Sequence, residues 1–188
     1  MAMAVRWRER PVDPVGMEGR LLLADGSVLR IRRFVEPDAP KLRRFYLGLS
    51  AQSLYRRFMT PVPRLPEGIL AYLCETDRLD REVVVVTCRD EIVAEGRYHR
   101  RHGTDEAEIA LVVADPWQGR GIGGALAARL AEMARRRGVL AFTGAMLADN
   151  DAAKGLLGSA APTADRRVRS GELEFWAALP GGSPPPPD

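Results

Sequence analysis

With 188 residues and 46% hydrophobic content, the chain has the length and apolar mass for one domain with a sizeable core. No segment nears the run of about 20 apolar residues a membrane span needs, and the charged N-terminus (Arg6, Arg8, Glu9, Arg10) lacks the apolar stretch of a secretory signal, which predicts a cytoplasmic protein without a membrane partner. The net charge of +3 comes from 28 basic and 25 acidic residues interleaved along the chain, a pattern that excludes a nucleic-acid surface massed on one element.

Residues 1–19 read as a flexible lead, residues 20–179 as the domain, and residues 180–188 (PGGSPPPPD) as a disordered tail that cannot pack a core. Ser27 to Phe34 alternates apolar and charged residues after an Asp25-Gly26 turn and predicts the first strand. A helix then starts near Pro37-Asp38, with Leu42, Phe45, Tyr46 and Leu49 on one face. A second, through Leu54, Tyr55 and Phe58, ends before the prolines at 61–66, and a third spans about Pro66 to Glu75. Tyr46, Tyr55 and Phe58 are read as core.

Val83 to Cys88, Ile92 to His99 and Glu106 to Val113 form a predicted antiparallel meander with turns at Arg89-Asp90 and His102-Gly103-Thr104. Beyond it Ile122, Leu126, Leu130 and Met133 step at helical spacing, with Arg129, Glu132 and Arg136 assigned to the opposite face and Gly138 just past the helix end. Val139 to Leu147 returns as a strand, Asp151 to Leu157 makes a short helix, and Glu172 to Leu179 is the last strand. A strand, helix and strand of these lengths imply parallel strands with a right-handed connection. The fold class is therefore α/β of the α+β type, with a mixed, mostly antiparallel sheet of six to seven strands flanked by helices.

Between the third meander strand and the long helix stand four glycines in six residues, Gly119-Arg120-Gly121-Ile122-Gly123-Gly124. Each glycine inside a helix costs about 0.8–1 kcal/mol relative to alanine, so the cluster needs another justification. A glycine-rich strand-to-helix turn lets bare backbone N–H groups approach an anion at the positive end of the helix dipole. The letters also satisfy the dinucleotide fingerprint, but four residues separate them from their strand, and Gly144 stands where an acidic residue belongs. Ala125 and Leu126 follow the last glycine in place of the lysine and hydroxyl residue of a nucleoside-triphosphate loop.

Gln118-Gly119-Arg120-Gly121-Ile122-Gly123 resembles the Q/R-x-x-G-x-G/A motif of the GNAT superfamily of N-acetyltransferases, and the order of elements over residues 27–179 is similar too. The resemblance implies a splayed central parallel strand pair and acetyl-CoA as cosubstrate. It implies that Leu111, Val112 and Val113 pair with the pantetheine arm, and that Gln118, Gly119, Arg120, Gly121, Ile122, Gly123 and Gly124 hold the pyrophosphate. Asn150 matches a family asparagine that contacts the cofactor arm; a plain helix N-cap is the competing reading. A narrower likeness, carried by Gly48 to Phe58, Asp77 and Val83 to Thr87, is to the acetyltransferase domain of bacterial protein lysine acetyltransferases.

The implied reaction is acetyl transfer to a primary amine, a protein lysine, in a direct ternary complex; the alternatives are a small-molecule amine as acceptor and a catalytically silent acyl-CoA-binding module. Deprotonating an ammonium of pKa about 10.4 calls for a base, and Glu108 is the first choice, with Glu106 competing because alternation puts both on one face. The N–H of Leu111 or of Val112 is the candidate donor to the thioester oxygen. The segment Asp151 to Ala160 lacks the tyrosine by which many relatives protonate the thiolate, leaving water or Ser159. No metal is expected: His99 and His102 have no third ligand at spacing and read as surface histidines, and Cys74 and Cys88 as idle thiols. The oligomeric state is left open.

Overall fold

The computed structural model describes residues 7–8, 18–62 and 65–180. In chain order the elements are β1 (Trp7–Arg8), β2 (Gly19–Leu22), β3 (Val28–Arg33), α1 (Ala39–Leu47), α2 (Ala51–Phe58), α3 (Glu67–Leu73), β4 (Arg81–Cys88), β5 (Glu91–Arg100), β6 (Glu106–Val113), α4 (Ile122–Arg136), β7 (Ala141–Leu147), α5 (Asp151–Ala160), β8 (Asp165–Arg169) and β9 (Glu172–Ala178). The strands form one sheet in the order β1-β2-β3-β4-β5-β6-β7-β9-β8. Of its pairings only β6 with β7 is parallel.

The expected mixed sheet is present, with nine strands among the described residues instead of six to seven. The additions are β1, β2 and β8. All five residues of β8 are exposed, so this edge strand has no alternating pattern to reveal it. The predicted lead and tail lie mostly outside the described residues; within the former, Trp7 and Arg8 pair with Leu21 and Arg20.

Alternation along Val83 to Val86 supplies both halves of the core. Val84 and Val86 face α4, where Ile122, Leu126, Leu130 and Met133 pack on the sheet; Val83 and Val85 face α1 to α3, where Leu42, Phe45, Leu70 and Leu73 cover the other side. Each such side chain contributes roughly 1.5–3 kcal/mol on burial. Gly96 lets α4 lie close: a Cβ there would stand 2.5 Å from Leu111 Cδ2 and 2.9 Å from both Leu126 and Leu130. Arg129, expected on the solvent face of α4, is instead buried, with its guanidinium donating to Glu132 at 2.9 Å. A long side chain can lie along apolar surface when its charged head finds a partner at the rim.

On the α1 to α3 side a polar network crosses the core. Tyr46 donates to Glu95 Oε2 at 2.7 Å, and Arg97 donates to Glu95 Oε1 at 2.8 Å and to the Leu73 carbonyl at 2.9 Å. Glu95 and Tyr46 are both fully buried, so this network fastens α1 and α3 to β5. Burial and the neighbouring Glu95 carboxylate push the Tyr46 hydroxyl far above its ordinary value, and it stays a donor at any physiological pH.

Candidate active site

β6 and β7 are in register over only three pairs, Glu106 with Ala141, Ala107 with Phe142 and Glu108 with Thr143. Beyond Glu108 the strands part, which is the splay expected of the parallel pair. On its other side β6 follows β5 throughout, with Arg101 N–H donating to the Glu106 carbonyl and Ala114 N–H to the Val93 carbonyl, each at 2.9 Å. That parity commits the even-numbered residues of β6 to β5; the Ile109 N–H makes the last rung to β7, which leaves the Ile109 carbonyl, the N–H and C=O of Leu111 and the N–H of Val113 turned into the gap. Of the two amides the sequence leaves open, Val112 therefore pairs with β5 opposite Glu95, and Leu111 faces the gap.

The C-terminal end of the gap opens on the glycine turn. Gly119 and Gly121 have φ of +72° and +81°, a region that costs an L side chain roughly 1–2 kcal/mol, and Gly121 is the N-cap of α4. The N–H groups of Ile122, Gly123 and Gly124 follow in the first helical turn, where no intrahelical acceptor exists. The Ile122 side chain belongs to the core, so only its backbone can meet a ligand. The Arg120 guanidinium lies 5.0 Å from the Trp117 ring centroid and donates to Asp25 at 2.7 Å, tying the turn to the loop between β2 and β3. Gln118 is likewise engaged, its amide donating to Ser53 Oγ at 3.1 Å and to the Val113 carbonyl at 3.0 Å.

A clasp that sequence reasoning missed holds this turn. Asp115 accepts from the Ser50 N–H at 3.0 Å, the Ser50 hydroxyl at 2.7 Å and the Ser53 hydroxyl at 2.8 Å, joining the entry to the glycine turn to the N-terminus of α2. Burial pushes the Asp115 carboxyl up, but those hydrogen bonds outweigh it and hold the group below its ordinary value.

Glu106 and Glu108 share a face, as alternation requires, yet their surroundings differ. Glu106 accepts from Trp176 Nε1 at 2.9 Å and from Arg101 at 3.3 Å. The Glu108 carboxylate makes no hydrogen bond or ion pair with any described residue and borders an open cleft of roughly 1510 Å³ between α1, α3 and the starts of β4 and β6. His99, read as a surface residue, stands directly opposite Glu108 and lines the same cleft. The pairing follows from a turn of four residues, 102–105, with Arg101 opposite Glu106; the three-residue His102-Gly103-Thr104 turn read from the sequence would have put His99 opposite Ala107. Cys74, free and half-buried, also borders the cleft, with its thiol pushed up by burial.

On the far side of the gap, Asn150 is buried and its Oδ1 accepts the Ala153 N–H at 3.2 Å, the cap of α5. The Ser159 hydroxyl donates to the Gly155 carbonyl of its own helix at 2.9 Å. The arrangement offers backbone N–H groups suited to an anion at one end of the gap, the N–H groups of Leu111 and Val113 along it, and a carboxylate without a side-chain partner in a cleft where the strands rejoin.

The sequence pattern of the acetyltransferase (GNAT) family matches residues 39–159. Over 135 residues the chain is 37% identical to the acetyltransferase Pat of Mycolicibacterium smegmatis, a match that covers 70% of this chain and 40% of that protein. The chain thus spans about two fifths of the length of that curated relative. Its fold matches the GNAT domain of S. lividans PAT with a TM-score of 0.80 at 30% identity, over 91% of this chain and 100% of that one. The Salmonella typhimurium protein yncA, solved with acetyl-CoA, has the same fold at a TM-score of 0.62 and 19% identity, over 80% of this chain and 92% of that one. With the family pattern running from α1 to the last turn of α5 across the splayed strands and the glycine turn, this chain belongs to the GNAT family of acetyltransferases.

Proposed function

We propose that the chain transfers the acetyl group of acetyl-CoA to a primary amine, and that the amine is a protein lysine. The observation that carries this reading is the unpartnered carboxylate of Glu108 at the point where β6 and β7 meet, with the glycine turn at the other end of their gap. Lysine on a protein is supported by the upstream likeness and by the cleft, whose roughly 1510 Å³ exceeds the ~300–1,000 Å³ of small-molecule pockets.

The residues present fit acetyl-CoA. The N–H groups from Gly119 to Gly124 suit a pyrophosphate, and the Ile109 carbonyl, the N–H and C=O of Leu111 and the N–H of Val113 suit the amides of an extended arm. Bound there, the cosubstrate supplies an acyl thioester. Glu108 takes the proton from the ammonium of the acceptor, freeing its lone pair. The Leu111 N–H points toward the gap as donor to a developing oxyanion, a contribution typically worth about 2.7–4 kcal/mol. With no tyrosine in α5 and Ser159 bonded to its own helix, water protonates a thiolate whose conjugate thiol has an ordinary pKa of about 8.5.

The absent tyrosine also favours a second reading, a module that binds acyl-CoA without turnover. Free-thiol release from acetyl-CoA, with and without lysine peptides or small amines, separates the two. We expect acceptor-dependent release that falls about 10²–10⁴-fold in Glu108→Gln. Binding without release would establish the silent module, and release with small amines alone would reassign the acceptor. Gly121→Glu should abolish acetyl-CoA binding by placing a carboxylate in the anion cradle; retained binding by that folded variant would show that the cradle lies elsewhere.

A further inference from the structure

Arg81, His99 and Glu108 form a row across three adjacent strands: Arg81 lies opposite His99, and His99 opposite Glu108. All three line the cleft. Arg81 is held by an ion pair to Glu75 at 2.7 Å and by the Tyr72 ring, whose centroid is 5.8 Å away. From that position its Nε–H donates to Nε2 of His99 at 3.3 Å. A ring nitrogen that accepts carries no proton, so neutral His99 bears its proton on Nδ1.

Among the described residues nothing accepts from that Nδ1–H, and nothing donates to the Glu108 carboxylate. Several charged neighbours are committed elsewhere: Arg97 to Glu95 and the Leu73 carbonyl, Arg101 to Glu106, Glu75 to Arg81, Arg100 to Asp80 and Arg43 to Glu67. His99 and Glu108 do not touch in this structure, but they form a hydrogen-bonded antiparallel pair, whose Cα atoms lie about 5.5 Å apart with side chains on one face. Directly opposite residues on one face of an antiparallel pair are within reach of each other's long side chains, and both of these are exposed and free to reorient.

We propose that His99 is a positioning residue for Glu108: Arg81 fixes its tautomer, and its Nδ1–H then holds the carboxylate with a free lone pair aimed into the cleft. The proposal rests on the reading of Glu108 as the base. Its advantage is orientation, because a long exposed side chain otherwise loses its rotamer freedom at the moment the amine arrives.

The chain has two histidines, so nitrogen NMR of the neutral rings at about pH 8 is assigned with His102→Gln alone. We expect His99 protonated on Nδ1 and bare on Nε2, a shift toward the Nε2–H form in Arg81→Leu, and a change at His99 Nδ1, not at His102, in Glu108→Ala. In acetyl transfer to the peptide acetyl-Gly-Lys-Gly-amide, His99→Ala should lower kcat about tenfold with KM for acetyl-CoA within about twofold. His99→Asn, whose amide nitrogen takes the place of Nδ1, should restore most of that rate. A bare Nδ1, an Nδ1 signal indifferent to Glu108→Ala, or an Asn variant no better than Ala overturns the proposal. Undiminished turnover in Glu108→Gln removes the base itself, an outcome distinct from failure of the contact, which the spectra decide without any acceptor.

Discussion

Glu106 accepts the indole N–H of Trp176 at 2.9 Å, a contact between β6 and β9 that spans the intervening β7 at the only place where the parallel strands are paired. The two glutamates of β6 thereby divide their work by partner, one closing the sheet and the other facing the cleft. Glu106→Ala is expected to lower stability by about 1–3 kcal/mol, the cost of stranding a part-buried donor, as read from urea unfolding. Turnover by the folded fraction should stay within about threefold, against the far larger loss in Glu108→Gln. A larger catalytic loss in Glu106→Ala at unchanged stability would exchange their roles.

The Asp115 clasp links the glycine turn to α2, so its loss should act on the cosubstrate. Asp115→Ala is expected to raise KM for acetyl-CoA roughly tenfold with kcat little changed, because the amides remain but are no longer held in place. Initial-rate kinetics at saturating acceptor provide the check, and a drop in kcat alone would speak against it.

The same aspartate predicts an acid response. A carboxyl whose folded pKa lies below its unfolded value contributes stability that is full above the unfolded value, near 3.8, and lost as pH falls through the folded one. Wild type should therefore lose part of its stability below about pH 3.8, and Asp115→Asn should show a smaller loss over that window in chemical unfolding. Equal acid sensitivity in both would place the effect on other carboxylates.

Removing the Tyr46 hydroxyl leaves Glu95 Oε2 without its donor in a fully buried site. Tyr46→Phe is expected to cost about 1–3 kcal/mol. Glu95→Leu should cost more, about 3–5 kcal/mol, because it leaves the Arg97 guanidinium without its ion pair. Thermal or urea unfolding of the two variants tests the order, and a stabilised Glu95→Leu would show the network to be dispensable.

Among the described glycines Gly96 has the least room, and a Cβ there would overlap three leucines. Gly96→Ala is expected to destabilise by about 1–3 kcal/mol through overpacking. Since one of those leucines is Leu111, the variant should also weaken acetyl-CoA binding in calorimetry, whereas an unperturbed affinity would show that β6 absorbs the strain elsewhere.

The local part of the fold was readable. The 3.6-residue spacing of Ile122, Leu126, Leu130 and Met133 and the stop at Gly138 marked α4, and the β-branched run Val83 to Val86 before the Arg89-Asp90 turn marked a strand, though not that both its faces would be covered. The glycine turn announced itself because its residue type is a backbone requirement. What escaped was contact between distant positions: Ser50 with Asp115, or Trp176 with Glu106, depends on which strands become neighbours. Val112 and Leu111 could not be told apart either, because ladder parity is a property of the pair and not of the single strand. β8 escaped for the opposite reason, since a strand with no buried side has no pattern to read.

Within the sheet, three rungs of pairing hang β7, β9 and β8, a third of its strands, on the rest by a narrow hinge. A ligand whose amides fill the cleavage beyond that hinge acts as a missing strand, and its departure reopens two edges to water. Amide hydrogens at Leu111 and Val113 should accordingly exchange on the timescale of ligand residence, while those of Val112 and Ala110, locked to β5, wait for the sheet itself to open.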